Sequence, residues 1–244
     1  MGKDQLHNLL FLDVETTGLE EEDRLVQVAY VYNDTENESL FHPGRAMSIR
    51  SMEITHITNK HLEGKEKFVG SSFYKELEKI LAKEDTIFVA HNASFDMGML
   101  AREGLAVNKF IDTFKIAQEL DVKGDIPAYR LQYLRYYLGI DLDDACAHSA
   151  LGDVKVLVAL FERMYDKMCA NDAHDAVIQK MVHISSQPTL IKRFNFGKYN
   201  GELIADVARK DHGYLSWLLG QKESDAANGA LEEDWIFTLK KYIR

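Results

Sequence analysis

The chain has 244 residues, of which 46% are hydrophobic and 28% charged, and its formal net charge is −10. This length allows one large domain, or a medium domain with a small appendage, and the acidic balance argues against a protein that coats nucleic acid. It does not exclude an enzyme that acts on nucleic acid, because acids that bind divalent cations add to the negative count and the bound cations reverse the local charge.

No segment has the composition expected for membrane association. The apolar runs are short, and the N-terminus lacks the pattern of a signal peptide. The two cysteines, Cys146 and Cys169, have no metal-ligand spacing, which favours reduced thiols. We therefore expect a cytoplasmic protein with no membrane partner.

Strands and helices alternate in the first part of the chain. Apolar runs predict strands at 9–13, 25–32, 39–42 and 86–90, and a further strand that begins at 110. Helical spacing predicts helices at 71–81, 93–102, 115–120, 131–138 and 154–168. This order predicts the α/β class, with a mixed sheet flanked by helices on both sides. The fourth of these helices carries Tyr133, Tyr136 and Tyr137. We interpret them as packing residues in preference to the alternative, a binding surface.

The pattern changes near residue 170. We predict a first domain at 1–168, a helical linker at 169–190 and a small C-terminal unit at 191–244. The start of that unit has no acid and interleaves cations with aromatic residues, namely Lys192, Arg193, Phe194, Phe196, Lys198 and Tyr199. Such residues can hold a single nucleic-acid strand, because aromatics stack on bases and cations meet phosphates. The alternative is a small β-hairpin whose aromatics form its own core.

Two carboxylates stand at the end of the first strand. Side chains at positions i and i+2 share one face of a strand, so Asp13 and Glu15 point the same way. Unpaired carboxylates side by side repel each other and resist desolvation, and a divalent cation removes both problems. The alternative is a solvated strand end that carries two acids as edge charges.

Two further segments carry residues of related chemistry. In HNASFD (91–96), Asp96 falls in the first turn of a helix. There it could join a metal site, or it could interact favourably with the helix dipole. In AHSALGD (147–153), His148 and Asp153 are five residues apart, which is roughly 140° around a continuous helix. They share a site more easily if His148 lies in the approach to the helix or in its first turn.

Together these segments resemble the motifs of the DnaQ-like, or DEDDh, family of 3′–5′ exonucleases. LDVETTGL, HNASFD and AHSALGD stand in the family's order, and ITHIT (54–58) and IDTFKIA (111–117) also look like family features. The resemblance covers roughly residues 7–168 and implies a ribonuclease H-like fold. It implies metal-dependent release of 5′-mononucleotides from DNA 3′ ends, with single-stranded DNA as the favoured substrate.

The resemblance also implies a catalytic set. The implied metal ligands are Asp13, Glu15, Asp96 and Asp153, which would hold two ions of Mg²⁺ or Mn²⁺. His148 is implied as the general base, a role that suits a side chain with an ordinary pKa of about 6.5.

Three residues are implied to lie beside the terminal nucleotide, namely Thr16, Thr17 and Leu19. His91 and Asn92 belong to the same rim, and for them substrate contact and a capping or loop role both stay open. We interpret Asp112 as structural, although it is another acid near a strand end.

The stretch FGKYNGELIADVARKDHGYLSWLL resembles the C-terminal module of exonuclease X-like proteins. This resemblance implies a small α+β module and favours an exonuclease X-like enzyme over the first alternative, a polymerase proofreading subunit. The second alternative is an RNA exonuclease, because a 2′-hydroxyl contact can come from the backbone. The third is a non-catalytic module that binds 3′ ends, which the presence of all four acids and the histidine disfavours.

Overall fold

The computed structural model describes residues 8–142, 150–169, 174–230 and 232–243. Within these ranges the strands are β1 (Leu9–Thr16), β2 (Leu25–Tyr32), β3 (Thr35–Leu40), β4 (Ile87–Ala90) and β5 (Phe110–Asp112). The helices are α1 (Ile49–Thr55), α2 (Asn59–Leu62), α3 (Ser72–Leu81), α4 (Ala93–Arg102), α5 (Thr113–Leu120), α6 (Leu131–Tyr137), α7 (Ala150–Cys169), α8 (His174–Ser185), α9 (Ile204–Lys210), α10 (His212–Ala227) and α11 (Glu233–Ile243).

The strands form one mixed sheet in the order β3-β2-β1-β4-β5. β1 is central and pairs antiparallel with β2 and parallel with β4, and β4 pairs parallel with β5. The mixed sheet flanked by helices, predicted from the order of elements, is confirmed.

The two faces of β1 serve two different cores. Phe11 packs edge-on against Phe161 of α7, with ring centroids 5.2 Å apart, whereas Leu12 belongs to the core formed with α3 and α4. Since alternate side chains of a strand share a face, Asp13 and Glu15 continue the Phe11 face. The strand therefore aims both acids toward α7.

The β2–β3 hairpin shows where the strand prediction at 39–42 is wrong. β3 starts at Thr35, directly opposite Tyr32, so the turn has only two residues. Those residues, Asn33 and Asp34, both have positive φ, 48° and 61°, which is the conformation of a tight hairpin turn that matches the twist of the strands. The strand prediction missed this turn and placed the strand too late.

The short helices α1 and α2 are absent from the sequence prediction. Within α1 the buried residues are Ser51 and Thr55, which are polar, so there is no apolar periodicity to detect. The helix is instead started by Ser48, whose side chain accepts a hydrogen bond from the Ser51 N–H.

Helix α8 is part of the main core and is not a linker. Val177, Ile178 and Met181 are buried with residues of α5 and α7. Ser185 Oγ accepts a hydrogen bond from the Asp112 N–H at 2.8 Å and donates to the Met181 carbonyl at 2.8 Å. The prediction of a helix in 169–190 is right, but its description as a linker is wrong.

The C-terminal unit is helical where it is described. Helices α9, α10 and α11 surround a core that contains Phe194, Ile204 and Leu239. The β-structure recorded there is an isolated antiparallel bridge between Arg193 and Leu203. The predicted α+β module is therefore corrected to a helical one.

No helix within the described ranges is long and apolar enough to cross a membrane. Cys169 is a free thiol, and Cys146 lies outside the described residues.

Candidate active site

Three carboxylates meet at the end of the central strand. Asp13 and Glu15 come from β1, and Asp153 comes from the first turn of α7. An oxygen from each lies within 4.8 Å of those of the other two. The structure thus brings together three of the four residues implied as metal ligands.

The fourth, Asp96, lies directly behind this group. It is 3% exposed and stands in the first turn of α4. Its Oδ1 accepts a hydrogen bond from the Val14 N–H at 3.2 Å, so it is tied to β1 between the two acids of that strand. Asp96 is outside the group that lies within 4.8 Å. Its charge nevertheless raises the pKa of Asp13, and only burial raises that pKa more.

The carboxylates destabilise one another when they are ionised. Burial, followed by the charges of Asp96, Glu15 and Asp153, holds the pKa of Asp13 well above its ordinary value. Burial and the charge of Asp153 raise the pKa of Glu15 to about 7, and burial also raises the pKa of Asp96. In the described part of the chain, no lysine or arginine offsets the charge of Asp13 or Glu15. Such a donor set fits hard divalent cations, which bind carboxylate oxygens.

Gln132 of α6 is a site residue that the sequence prediction missed. Its Nε2 donates a hydrogen bond to Asp153 Oδ1, and its Oε1 is buried without a partner. Gln132 therefore orients one carboxylate of the group. A single glutamine in a helix of leucines, tyrosines and an arginine gives no chemical signal in the sequence.

His148, the implied general base, lies in the segment 143–149, outside the described residues. Its role stays a prediction.

The loop between β1 and β2 is held by Asp23. Asp23 Oδ1 accepts a hydrogen bond from the Thr17 hydroxyl at 2.6 Å, and Oδ2 accepts one from the Glu20 N–H at 2.8 Å. Arg45 lies 3.3 Å from Oδ1. A Cβ on Gly18 would overlap Oδ2 of Asp23, so this close approach requires glycine.

The residues implied to meet the terminal nucleotide lie at the end of β1 and in this loop. Thr16 and Thr17 are buried, and the Thr16 hydroxyl donates to the Gly18 carbonyl at 2.7 Å. The Thr17 carbonyl accepts a hydrogen bond from the Ser51 hydroxyl. Leu19, in contrast, is 75% exposed. Of these three side chains, that of Leu19 is therefore the one open to solvent.

A cavity of about 610 Å³ lies beside this loop. Thr16, Thr17 and Leu19 line it together with Glu15 and Phe95. The cavity thus connects the loop to the carboxylate group.

His91 is bonded to the protein on both ring nitrogens. Nε2 lies 2.6 Å from the Tyr129 carbonyl oxygen, and Nδ1 lies 2.9 Å from the Thr113 hydroxyl. A carbonyl oxygen only accepts, so Nε2 carries a proton. Burial lowers the pKa of His91 to about 4, which keeps the ring neutral near pH 7. Of the two interpretations left open for His91, this geometry favours the structural one.

Asn92 and Asp112 join two strand ends. Asn92 has a φ of 68°, and its N–H donates to Asp112 Oδ1 at 2.9 Å. The same oxygen accepts a hydrogen bond from the Phe114 N–H at 2.9 Å and so caps α5. Asp112 is therefore structural, as interpreted from the sequence. The Asn92 side chain is exposed and makes no capping bond.

A second cavity, of about 460 Å³, borders Asp13 and Asp153. It is also lined by residues of α6 and the segment before it, including Arg130, Tyr133 and Tyr136. Tyr136 is 72% exposed and Tyr137 is 50% exposed. The interpretation of these two tyrosines as packing residues is therefore wrong. The carboxylate group lies between the two cavities.

The aromatic residues predicted to contact nucleic acid at the C-terminus pack on one another. Phe194 is 1% exposed, so the predicted contact is wrong for this residue. Phe196 and Tyr199 lie against it, with ring centroids 6.4 Å and 5.9 Å from that of Phe194. The alternative of an aromatic core is correct, although helices and not a hairpin surround it.

Two of the three cations of that segment have partners inside the protein. Arg193 Nε donates to the Gly124 carbonyl at 2.7 Å, which attaches the C-terminal unit to the loop before α6. Lys198 Nζ lies 2.8 Å from Asp211 Oδ2. The Lys192 ammonium group has no ion-pair partner in the described residues, so it is the cation of this set that stays available for a phosphate.

Residues 10–161 match the model of a family described as "Exonuclease". The chain therefore belongs to the exonuclease family, and with its acidic site it is a metal-dependent 3′–5′ exonuclease. More particularly, residues 194–223 match a family described as "Exodeoxyribonuclease X-like C-terminal". The resemblance found in the sequence is thereby confirmed for both parts of the chain.

Similar proteins include enzymes of two kinds. Exodeoxyribonuclease 10 of Escherichia coli (strain K12) is 29% identical over 96% of this chain and 98% of its own length. DNA polymerase III subunit epsilon of Treponema pallidum (strain Nichols) is 31% identical over 70% of this chain and 85% of its own length.

Solved structures share the fold. A structure of exonuclease X in complex with 5′ overhanging duplex DNA has a TM-score of 0.55 and 24% identity, and the match covers 73% of this chain and 99% of that chain. The nuclease domain of 3′hExo, a DEDDh family member bound to rAMP, has a TM-score of 0.54 and 17% identity over 66% of this chain and 92% of that chain. These matches confirm the ribonuclease H-like fold.

We expect Asp23→Ala to raise the KM for a single-stranded oligonucleotide about fivefold, which corresponds to about 1 kcal/mol, with a smaller change in kcat. The Thr17 hydroxyl and the Glu20 N–H lose a buried acceptor, so the free energy of unfolding should also fall by about 1–3 kcal/mol. Steady-state kinetics and thermal melts measure both effects. Glu21→Ala, an exposed acid of the same loop, is the matched control. A KM equal to that of the control would show that the shape of this loop is irrelevant to binding.

Proposed function

We propose that this exonuclease removes 5′-mononucleotides from the 3′ ends of DNA, with single strands as its preferred substrate. The observation that carries the proposal is the convergence of Asp13, Glu15 and Asp153 within 4.8 Å, with Asp96 bonded to the strand between the first two. Cavities on either side of this group leave room for a chain that passes across it.

The four acids would hold two divalent cations, Mg²⁺ or Mn²⁺. When bound, such ions supply a nucleophilic water near neutral pH and stabilise the charge that develops on the leaving oxygen. The chain itself orients the ligands: the Val14 N–H fixes Asp96, and the Gln132 amide fixes Asp153.

His148 would act as the general base. In the proposed step, the oxygen of a water attacks the phosphorus of the terminal nucleotide, and His148 accepts the proton of that water. The bond from phosphorus to the 3′ oxygen of the preceding nucleotide breaks, and this oxygen takes up a proton as a new 3′ end forms. A histidine suits the role because its ordinary pKa lies near the working pH.

The terminal nucleotide would lie in the cavity beside the β1–β2 loop. Leu19 offers an exposed apolar side chain there, and Phe95 lines the same cavity, so a base can be packed between apolar surfaces. Thr16 would contribute through its backbone, because its hydroxyl group is bonded to the Gly18 carbonyl. Thr17 would contribute by holding the shape of the loop, because its hydroxyl, N–H and carbonyl groups are all bonded within the protein.

DNA is favoured over RNA because the C-terminal match is to an exodeoxyribonuclease X-like family. The same match favours an exonuclease X-like enzyme over a proofreading subunit, although one similar protein is a polymerase III epsilon subunit. Both parts of the chain are covered by the match to exodeoxyribonuclease 10 of Escherichia coli.

A side-by-side degradation assay tests the substrate. Four 5′-labelled substrates of one sequence are compared with Mg²⁺ and with Mn²⁺: single-stranded DNA, blunt duplex DNA, duplex DNA with a recessed 3′ end, and single-stranded RNA. We expect single-stranded DNA to give the highest kcat/KM. RNA degraded at least as fast as DNA would overturn the preference for DNA, and faster degradation of a duplex would overturn the preference for single strands.

A further inference from the structure

The segment 126–140 differs in composition from the rest of this acidic chain. It contains no aspartate or glutamate, two arginines and four tyrosines. α6 lies inside this segment, and the α6 residue that faces the core most completely is Leu134, which is 0% exposed. Several of the aromatic side chains are therefore left on the surface.

Three tyrosines of α6 lie within about one turn of one another and are partly or fully exposed. Tyr133 stacks on Tyr137, with ring centroids 6.0 Å apart and an interplanar angle of 21°. Tyr136 is 72% exposed and Tyr137 is 50% exposed. Tyr133 and Tyr136 line the same cavity as Asp13 and Asp153, so this surface continues directly into the carboxylate site.

Arg130 supplies a cation at the same place. It is exposed and lines the same cavity, and it has no ion-pair partner among the described residues. Arg135, the other arginine of the segment, is 7% exposed and donates to the Leu142 carbonyl at 3.2 Å. Arg135 is thus used inside the fold, whereas Arg130 can meet a phosphate.

We propose that the α6 surface, made of Arg130, Tyr133, Tyr136 and Tyr137, binds the strand on the 5′ side of the scissile phosphate. This inference rests on the proposed function. With the scissile phosphate at the carboxylates and the terminal nucleotide beside Leu19, the rest of the strand leaves through the second cavity. There the rings of Tyr133 and Tyr136 stack on its bases, Tyr137 supports the ring of Tyr133, and Arg130 pairs with a phosphate.

This arrangement selects single strands. Stacking on a protein ring needs a base that has left its own helical stack, and every base offers a ring face, so the contact tolerates all sequences. A paired strand does not offer its bases in this way. Arg130 also attracts a phosphate of the strand, whereas the acids of this chain repel it.

Two substrates separate this inference from the proposed function. One is a single-stranded oligonucleotide of twelve residues, and the other is the p-nitrophenyl ester of thymidine 5′-monophosphate, which has a terminal nucleotide but no strand on its 5′ side. For Tyr136→Ala we expect the KM for the oligonucleotide to rise about fivefold or more, and the KM for the ester to rise less. Tyr136→Phe, which keeps the ring, is the matched control and should resemble the parent.

Arg130→Ala gives an independent readout. We expect a higher KM for the oligonucleotide and a weaker dependence of that KM on salt, by about one phosphate contact. Lys75→Ala, which removes an exposed cation of α3 that lines neither cavity, is the control.

Each outcome decides the inference. An oligonucleotide KM within twofold of the parent in both Tyr136→Ala and Arg130→Ala overturns it, and so does an equal rise for the ester. If Tyr136→Phe is as impaired as Tyr136→Ala, stacking is not the interaction. A parent protein that cleaves neither substrate with Mg²⁺ or Mn²⁺ overturns the proposed function, and this inference falls with it.

Discussion

Replacing Asp13 with Asn is expected to lower kcat for a single-stranded DNA substrate by about a thousandfold or more. Asp13 interacts with all three of the other acids. The charges of Asp96, Glu15 and Asp153 each raise its pKa, in addition to the larger effect of burial. Asparagine keeps the size of the side chain but removes the charge that a cation needs. The protein should still fold, because one source of repulsion is removed.

The measurement is single-turnover cleavage of a labelled strand, combined with a thermal melt in EDTA. In EDTA the Asp13→Asn variant should melt at or above the temperature of the parent. Asp34→Asn is the matched control, because Asp34 is an exposed acid in the β2–β3 turn where asparagine tolerates positive φ. Activity of Asp13→Asn within tenfold of the control would contradict the assignment of the site.

The stabilisation of the protein by Mg²⁺ is expected to grow as the pH rises from 5 to 7.5. Burial and Asp153 raise the pKa of Glu15 to about 7, so folding favours its protonated form. In the absence of metal, the contribution of Glu15 to the stability of the folded protein is lost as the pH rises from its ordinary pKa, near 4.5, through about 7. Mg²⁺ binds the ionised form of Glu15. Its stabilising effect is therefore largest at the pH at which this ionisation most lowers the free energy of unfolding of the metal-free protein. At a hundredfold excess over Kd the gain is about 2.7 kcal/mol.

The experiment compares melting temperatures in EDTA and in Mg²⁺ at each pH. The comparison is needed because His91 has the opposite effect over part of this range. Burial lowers its pKa to about 4, so its contribution to the stability of the protein falls as the pH falls. His91 is bonded to Tyr129 and Thr113, so it should contribute equally with and without metal. If the melting temperatures in Mg²⁺ and EDTA do not differ, or if their difference shrinks toward pH 7.5, then Glu15 does not bind the metal as proposed.

The part of the site that strand geometry alone dictates was predictable. Asp13 and Glu15 had to share a face because side chains alternate along β1. Asp96 and Asp153 were reached through resemblance to a family, since an acid in the first turn of a helix is also explained by the helix dipole. Only the fold shows that these helices start at the end of the same strand.

The side chains around the carboxylates were not predictable. Asp23 looks like one acid in an acidic loop, and its role depends on contacts with Thr17 and the Glu20 backbone that exist only once the loop has closed. The exposed tyrosines of α6 were misinterpreted for a related reason. Helical spacing identifies the face that Leu134 buries, but it does not show whether another element covers the face of Tyr136.

In the C-terminal part of the chain, the sequence likewise did not show which residues pack against another element. Half of the residues of helix α8 are polar, but Val177, Ile178 and Met181 bury the helix against the first domain. Phe194 was ambiguous because an aromatic residue suits both a protein core and a stacked base. Its 1% exposure resolves that ambiguity in favour of the core.

The most direct test of metal-dependent 3′–5′ cleavage follows where the first label is released. One single-stranded DNA is labelled in its 3′-terminal phosphodiester and a second copy at its 5′ end, and both are treated with the parent and with Asp13→Asn. With Mg²⁺, the parent should release the 3′ label first, as a 5′-mononucleotide, and shorten the 5′-labelled strand one nucleotide at a time. EDTA or Asp13→Asn should stop both processes. Release of the 5′ label first, internal fragments as the early products, or equal rates in EDTA would contradict metal-dependent 3′–5′ cleavage.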